Sequence, residues 1–437
     1  MTKRRRRNKA FAKPGAGLYH APMTCTDRTT VTINRLGYQG DGVADGPLFA
    51  PRTLPGEVVS GLAEGSQLNE IRIESPSEHR VQAPCRHYKA CGGCQLQHVD
   101  DAFVADWKVD IVRNALVAQG LAASFRPIHT SPPQSRRRAT LAVRRTKKGA
   151  MAGFHGRASG VITEIPDCQL LDPALIAAIP MAEDLAMIGA SRKAPLAVTI
   201  TLSEVGLDVF VVNGKPLDGP LRLTLAQSVE KLGIARLTWE DEQIAMSQPP
   251  AQKFGAAHVT PPPGSFLQAT RDGEAALLAA VQEITQGAKR IVDLFAGCGT
   301  FSLPLAQSAE VLAVEGDKHM VQALMAGWRQ AVGLKKVTTQ ARDLFRNPLM
   351  PEDLNPFGAK FEAAVIDPPR AGAEAQVAEL AQARTPVIAY VSCNPVTFAR
   401  DAKTLVDAGY NLDWVQVVDQ FRWSAHTELA AAFTLKD

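Results

Sequence analysis

No stretch of this 437-residue chain is apolar for long enough to span a bilayer, and its basic start, Met1–Lys9, runs into Phe11-Ala-Lys-Pro-Gly15 and not into an apolar segment. No membrane association is expected, and the sequence reads as cytoplasmic. An internal repeat is missing too, which sets repeat architectures aside. The net charge is only +4, so the average composition says little about nucleic acid. Seven cysteines in a chain of this length do not make a disulfide framework. Their spacing points to a metal instead.

What is present is the composition of a globular protein, 46% hydrophobic and 21% charged, in a chain long enough for two or three domains. The cations are unevenly placed. Lys3 to Arg7 form one run, which serves equally well as a solvated tail or an RNA contact. A second cluster holds Arg136, Arg137, Arg138, Arg144, Arg145, Lys147 and Lys148. It alternates with Ala139, Leu141 and Val143 as a strand does, and RNA contact is the favoured reading, since basic groups gain by releasing counterions from phosphates.

Along the chain, Thr30–Ile33 begins a short strand, and Gly37, Gly40, Gly42, Pro47, Pro51, Pro55 and Gly56 punctuate further short strands, the pattern of a small β-barrel. A cysteine-rich loop follows from Pro84 to His98. Ala102 to Gly120 carries Phe103, Trp107, Ile111, Leu116 and Val117 at roughly helical spacing. Residues 126 to 260 read mostly as strands with one helical interlude, Pro173–Gly189, and the proline-dense Pro249–Gly264 reads as a linker. Beyond Arg290, buried strands (Ile291–Leu294, Val311–Glu315, Ala363–Asp367, Val387–Ser392) alternate with helices, which predicts a parallel, doubly wound sheet. Trp414–Val418 and Leu429–Leu435 close the chain as two strands with no helix between them, a pattern typical of methyltransferases.

Asp293-Leu-Phe-Ala-Gly297-Cys-Gly299-Thr300 follows the first of those strands and opens a helix. Its glycines allow a tight turn and close approach of backbone to ligand. Glu315 ends the second strand, where a carboxylate accepts hydrogen bonds from a ribose diol. A dinucleotide would fit as well, but Ser302 stands where a third glycine belongs and Asp293 stands just before the turn. Both favour S-adenosylmethionine. Asp343, after the third strand, is placed for the adenine amino group, although alone it reads as a helix cap.

Asp367-Pro-Pro-Arg370 and Ser392-Cys393-Asn394-Pro395 end the fourth and fifth strands, so both face the ligand side of such a sheet. A thiolate there suits methylation of a pyrimidine carbon. C5 of uracil is a poor nucleophile until a thiolate adds to C6, and a base must later remove the C5 proton. Glu428, in His426-Thr-Glu428, is the candidate base. A DNA cytosine-5 methyltransferase would place its cysteine directly after proline, whereas Cys393 follows Ser392.

These motifs resemble the RNA uracil-5 methyltransferases over nearly the whole chain apart from the basic tail. The resemblance implies Cys393 as nucleophile and Glu428 as proton-abstracting base. It implies S-adenosylmethionine held by Gln268, Phe295, Thr300, Glu315, Asp343 and Asp367, with Gln268 and Asp367 also near the target base. Ala269-Thr270 departs from the family's usual Val-Asn, which leaves residue 270 without an implied role. Cys85-x5-Cys91-Gly-Gly-Cys94, with Cys168 as fourth ligand, fits zinc or a cubane cluster by spacing alone. Its run to His98 looks like the iron–sulfur branch of the family, which implies a [4Fe-4S] cluster in a structural or RNA-positioning role.

The implied architecture is an α/β Rossmann-like class I methyltransferase domain at 263–437. Before it come a basic tail at 1–20, a TRAM/OB-like RNA-binding β-barrel at 21–80 and a central, mainly-β iron–sulfur domain at 81–262, whose helix 102–120 packs on the catalytic domain. The implied substrate is a uridine in 23S rRNA, the alternatives being a transfer-RNA uridine or an RNA-binding protein with an inactive methyltransferase domain. No protein partner is implied, and a monomer is expected.

Overall fold

The computed structural model describes residues 28–355 and 360–436; the run Lys3–Arg7 and the expected tail lie outside the described residues. Two compact units are present, one up to Ser77 without Tyr38–Gly40, the other made of Tyr38–Gly40 and the chain from Glu78 onward.

In the first unit, short strands separated by glycine and proline form one six-stranded sheet. Its two edge strands, Thr29–Thr32 and Arg35–Leu36, are successive pieces of one segment. Between them Ile33 N–H bonds to the Glu57 carbonyl and Asn34 N–H to that of Val43, both at 2.9 Å, so the sheet curls around Ile33, Ala44, Ala50, Val59 and Leu68. Gly42 is needed where strands approach closely, because a Cβ there would lie 2.1 Å from Thr53 Oγ1. In Leu54-Pro-Gly-Glu57 the buried Glu57 carboxylate accepts from the Leu54 and Ser77 N–H groups at 2.8 and 3.2 Å.

The second unit holds two large sheets. The first has seven strands, with Arg138–Arg145 paired to Ala150–His155 on one side and Leu196–Leu202 on the other. Its β-branched runs cover a core that includes Leu141, Val198, Val209, Leu237 and Trp239. Two helical regions pack on it, not one. Besides Pro173–Ala177 and Ile179–Gly189, a helix spans Gly219–Lys231. Leu221, Leu223 and Leu225 alternate as in a strand, but Asp218 accepts from Leu221 N–H at 2.8 Å and Pro220 sits in the first turn, a start signal that overrides the alternation.

The stretch expected to be a linker also folds. Gln252–Phe254 and Ala257–Val259 form a hairpin whose Phe254, Ala257 and Val259 are buried against the helix Lys318–Gln330. The prolines flank this hairpin and do not replace it.

The second sheet has eight strands. Arg290–Leu294, Glu310–Glu315, Val337–Ala341, Ala363–Ile366 and Val387–Ser392 are its first to fifth strands in chain order, all parallel, arranged third, second, first, fourth, fifth. Chain direction across the sheet therefore reverses between the first and fourth strands, which opens a crevice beyond their carboxyl ends. Glu428–Leu435 inserts antiparallel between the fifth strand and Tyr410–Asp419, and the short strand His129–Thr130 extends the sheet beyond the latter.

The helix Asp101–Ala118, capped by Asp100, joins this sheet's core through Val112, Ala115 and Leu116. Its inward stripe is Val104, Lys108, Ile111, Val112, Ala115 and Leu116, whereas Val117 is 62% exposed. The apolar stripe expected from Phe103 and Trp107 is thus displaced by one residue, because a lysine occupies a core position.

Truncating Phe254 to alanine is expected to cost about 3–5 kcal/mol, read from the urea midpoint, since the side chain is fully enclosed. A linker residue would cost almost nothing.

Candidate active site

The site begins with the turn after the first strand. Phe295 has φ of 61°, a left-handed conformation that costs a non-glycine residue energy, and Gly297 and Gly299 follow at 55° and 93°. At Gly299 a Cβ would lie 2.9 Å from both Leu303 and Leu324, so the turn is locked against the helix behind it. Glu315 Oε2 accepts from Gly297 N–H and Oε1 from Asp317 N–H, each at 2.9 Å. These two bonds fix its carboxylate, which lines the cavity described below. Asp343 is exposed; its Oδ1 accepts from Phe345 N–H at 3.0 Å, and the Phe345 ring lies 5.4 Å from that of Phe295.

Strand register brings the reacting groups together. Leu294 pairs with Ile366, so Phe295 and Asp367 leave the sheet side by side. Ser392 pairs with Leu429 in the antiparallel ladder, which sets Cys393 against Glu428. One cavity of about 460 Å³ is lined by Gln268, Phe295, Thr300, Glu315, Asp343, Asp367, Cys393 and Glu428, all eight of the residues that the sequence offered for catalysis and donor binding. That volume suits a nucleoside-sized ligand plus a base.

Two buried acids, Asp367 and Glu428, line the cavity, and a third, Asp293, is buried behind them. Burial raises Asp293 and Asp367 to about 7 and Glu428 to about 8, with Asp367 adding to both of the others. Ser302 donates to Asp293 Oδ2 at 2.5 Å, while Asp293 Oδ1 is buried without a partner. Such a lining favours a cationic ligand. Burial, then the charges of Glu428 and Asp367, also raise the Cys393 thiol, while Arg370 opposes them.

The tRNA (Uracil-5-)-methyltransferase family model matches residues 257–435. An RNA methyltransferase of Rhizobium meliloti is 42% identical over 92% of this chain and 98% of its own length, and one of Caulobacter vibrioides is 42% identical over 92% and 99%. The 23S rRNA (uracil(1939)-C(5))-methyltransferase RlmD of Shewanella piezotolerans is 32% identical over 94% and 96%. The chain belongs to the RNA (uracil-5-)-methyltransferase family. It is thus an S-adenosylmethionine-dependent RNA methyltransferase. In fold it is similar to the Pyrococcus abyssi tRNA (uracil-54, C5)-methyltransferase solved with S-adenosyl-L-homocysteine, with a TM-score of 0.70 and 22% identity over 93% of this chain and 99% of that one.

In this methyltransferase the loop 420–427, which leads into Glu428, is tied down from several sides. Lys108 is fully buried, lies 2.6 Å from Asp419 Oδ1, and donates to the carbonyls of Phe421 and His426 at 3.3 and 3.0 Å. Trp423, at φ of 59°, accepts from Gln95 and Leu96 N–H groups at 2.8 and 3.0 Å, directly beside Cys94. Sequence reasoning missed Lys108, Phe345 and Gln420. Only Lys108 had a signal, a lysine inside an apolar helical stripe. Thr270, left without a role, caps the helix Arg271–Ile284 by accepting from Gly273 N–H at 2.9 Å.

Cys85, Cys91, Cys94 and Cys168 line one small cavity walled by Phe154, Ile165 and Leu170. Gly92 is required there, because a Cβ would lie 2.7 Å from the His155 carbonyl oxygen; at Gly93 a Cβ would lie 3.2 Å from the Phe154 ring, and the Gly93 N–H points at Cys91 Sγ, 3.3 Å away. Arg86 and His87 pair with Asp167 at 2.9 and 2.5 Å and join the two cysteine segments. Burial raises the Cys91, Cys94 and Cys168 thiols, Cys94 to about 12, so thiolates in this cavity need a cationic centre. No group of three or more His, Cys, Asp or Glu side chains among the described residues is arranged to hold a metal ion as it stands.

The second basic cluster divides. Arg137 is buried, pairs with Glu274 at 2.5 Å and donates to the Gln268 carbonyl at 3.0 Å; Arg138 donates to that of Gly264 at 2.9 Å. The expectation of RNA contact does not hold for Arg137, which the strand turns inward. Lys147 and Lys148 are exposed.

Two outcomes follow from these burials. Lys108→Met leaves Asp419 buried and unpaired, so the protein should lose about 3–5 kcal/mol in urea unfolding, and adding Asp419→Asn should restore part of it. A carboxylate raised in the folded state stabilises fully below its unfolded value near 4 and loses that contribution as pH rises through the folded value. Ligand-free protein should therefore melt at progressively lower temperature between about pH 4 and 8, and Glu428→Gln should flatten the upper part of that fall.

Proposed function

We propose that this enzyme transfers a methyl group to C5 of a uridine in 23S rRNA through a covalent adduct on Cys393. The observation that carries the reading is the juxtaposition of Cys393 and Glu428 in the acid-lined cavity. The methyl donor supplies an electrophilic methyl group and leaves as S-adenosylhomocysteine. On this reading Phe295, Thr300, Glu315, Asp343 and Asp367 hold the donor, and Gln268 and Asp367 reach the target base.

Cys393 reacts as the thiolate, its proton having passed to solvent: Sγ bonds to C6 of uracil, and the electron pair of the C5–C6 double bond moves toward O4, making C5 nucleophilic. C5 then takes the methyl group. Glu428 removes the C5 proton, the double bond re-forms, and the bond from C6 to Cys393 breaks, returning the thiolate. Glu428 suits the last step because its raised value, about 8, gives a carboxylate basic enough to accept the proton.

Large-subunit ribosomal RNA is favoured over transfer RNA because the relative whose name specifies 23S rRNA is similar along almost its full length, whereas the transfer-RNA enzyme supports the fold alone. The curled N-terminal sheet is read as a TRAM-like barrel that holds RNA. For the four cysteines we infer a [4Fe-4S] cluster with a structural or RNA-positioning role. Soft thiol donors, an apolar wall and backbone N–H groups directed at sulfur fit such a group.

The test uses RNA from a strain lacking the gene, labelled S-adenosylmethionine and nucleoside analysis. Wild-type enzyme should produce 5-methyluridine in 23S rRNA, and Cys393→Ala should reduce it by about 10³-fold or more, as loss of a covalent nucleophile does. Label in another nucleoside, or an active Cys393→Ala variant, contradicts the reading. Anaerobically purified protein should contain about four iron and four sulfide per chain; zinc without labile sulfide would overturn the cluster.

A further inference from the structure

Gln420 stands one residue beyond the strand Tyr410–Asp419, is 1% exposed, and uses both ends of its side-chain amide. Oε1 accepts from the N–H groups of Ala269 and Thr270 at 2.8 and 3.4 Å. A backbone N–H only donates, so the oxygen must occupy that side however the amide atoms are named. The NH2 group therefore faces the other way, where it donates to Gln268 Oε1 and Glu428 Oε2. Gly273 makes the placement possible, because a Cβ there would lie 2.6 Å from Cβ of Gln420.

Two consequences follow. An NH2 group only donates, so Gln268 must turn its oxygen toward Gln420 and leave its own NH2 as the group available to the cavity. Glu428 has one oxygen engaged and the other left for a proton. Neither orientation is set by the residue's own backbone.

We propose that Gln420 is a positioning residue that selects uracil over cytosine by locking Gln268 with its NH2 toward the base, while holding Glu428 as an acceptor. Uracil presents a carbonyl oxygen at position 4 and cytosine an amino group. A fixed NH2 donor pairs with the first and opposes the second, donor against donor. The inference rests on the uridine C5 reading above.

The test uses 23S rRNA transcripts with tritium at C5 of uridine, and matched transcripts with 5-tritiated cytidine at the position that wild-type enzyme methylates. Tritium release and methyl incorporation are followed for wild type, Gln420→Met and Gln420→Glu, with S-adenosylhomocysteine affinity and melting temperature as checks on folding. Gln420→Met keeps the length and lacks the donor; uridine turnover should fall and the preference for uridine over cytidine should shrink by at least about tenfold. Tritium release should also need higher pH, because Glu428 loses the bond that favours its charged form while Asp367, Asp419 and the Cys393 thiol still face it, with Lys108 acting through Asp419. Gln420→Glu should be worse on uridine, since a carboxylate draws the Gln268 NH2 toward itself. A Gln420→Met enzyme that is slower but keeps the wild-type preference and pH profile overturns the proposal. If Gln420→Met does not fold, the preference of Gln420→Glu decides in the same way. Wild-type enzyme that methylates without releasing tritium from uridine refutes the C5 reading itself, whatever the variants do.

Discussion

The antiparallel insertion of Glu428–Leu435 into an otherwise parallel sheet is the constraint on which the site depends. Five parallel strands provide the crevice, but their carboxyl ends alone place a thiol with no opposing base. Running the last strand the other way brings its first residue to the same edge as Cys393. The pairing of Ser392 with Leu429 and of Val418 with Glu428 fixes the match to a single residue. A slip of one residue would turn Glu428 to the opposite face and remove it from the cavity.

That geometry has an electrostatic cost. Asp367 and Glu428 line the cavity with Asp293 buried behind them, and each is held in its neutral form further up the pH scale than a free carboxyl. The cost is an advantage if the ligand is cationic and one acid must accept a proton. The buried Lys108 is the counterweight from outside the sheet, binding the approach to Glu428 through Asp419 and two carbonyls. The cysteine loop holds the same approach through Trp423, so the region around Cys94 and the catalytic edge are mechanically joined.

Much of this was legible in the amino-acid order. The strands after Arg290 announce themselves because strands buried on both faces are continuous apolar runs, and their ends carry Asp293, Asp367 and Cys393 in recognisable company. The helix Gly219–Lys231 was not legible by alternation, since Leu221, Leu223 and Leu225 imitate a strand and only Asp218 and Pro220 correct it. The hairpin at 252–259 was hidden by the prolines around it. Arg137 looked like a phosphate contact because sequence shows charge but not the buried Glu274 that absorbs it. Gln420 carried no signal at all, because its importance lies in four partners that come together only in the folded chain.

The four cysteines show where spacing stops. Cys168 is distant in the chain from the other three, all four share one cavity in the fold, and what they hold is decided by their donor chemistry. The central claim concerns Cys393, and mapping its adduct tests that claim most directly. Enzyme incubated with S-adenosylmethionine and RNA containing 5-fluorouridine, which has no C5 proton to release, should stall as a covalent complex. Digestion and mass spectrometry should then find a methylated fluorouridine nucleotide on the peptide containing Cys393. Methylated RNA with no adduct, or an adduct on another residue, would contradict the account.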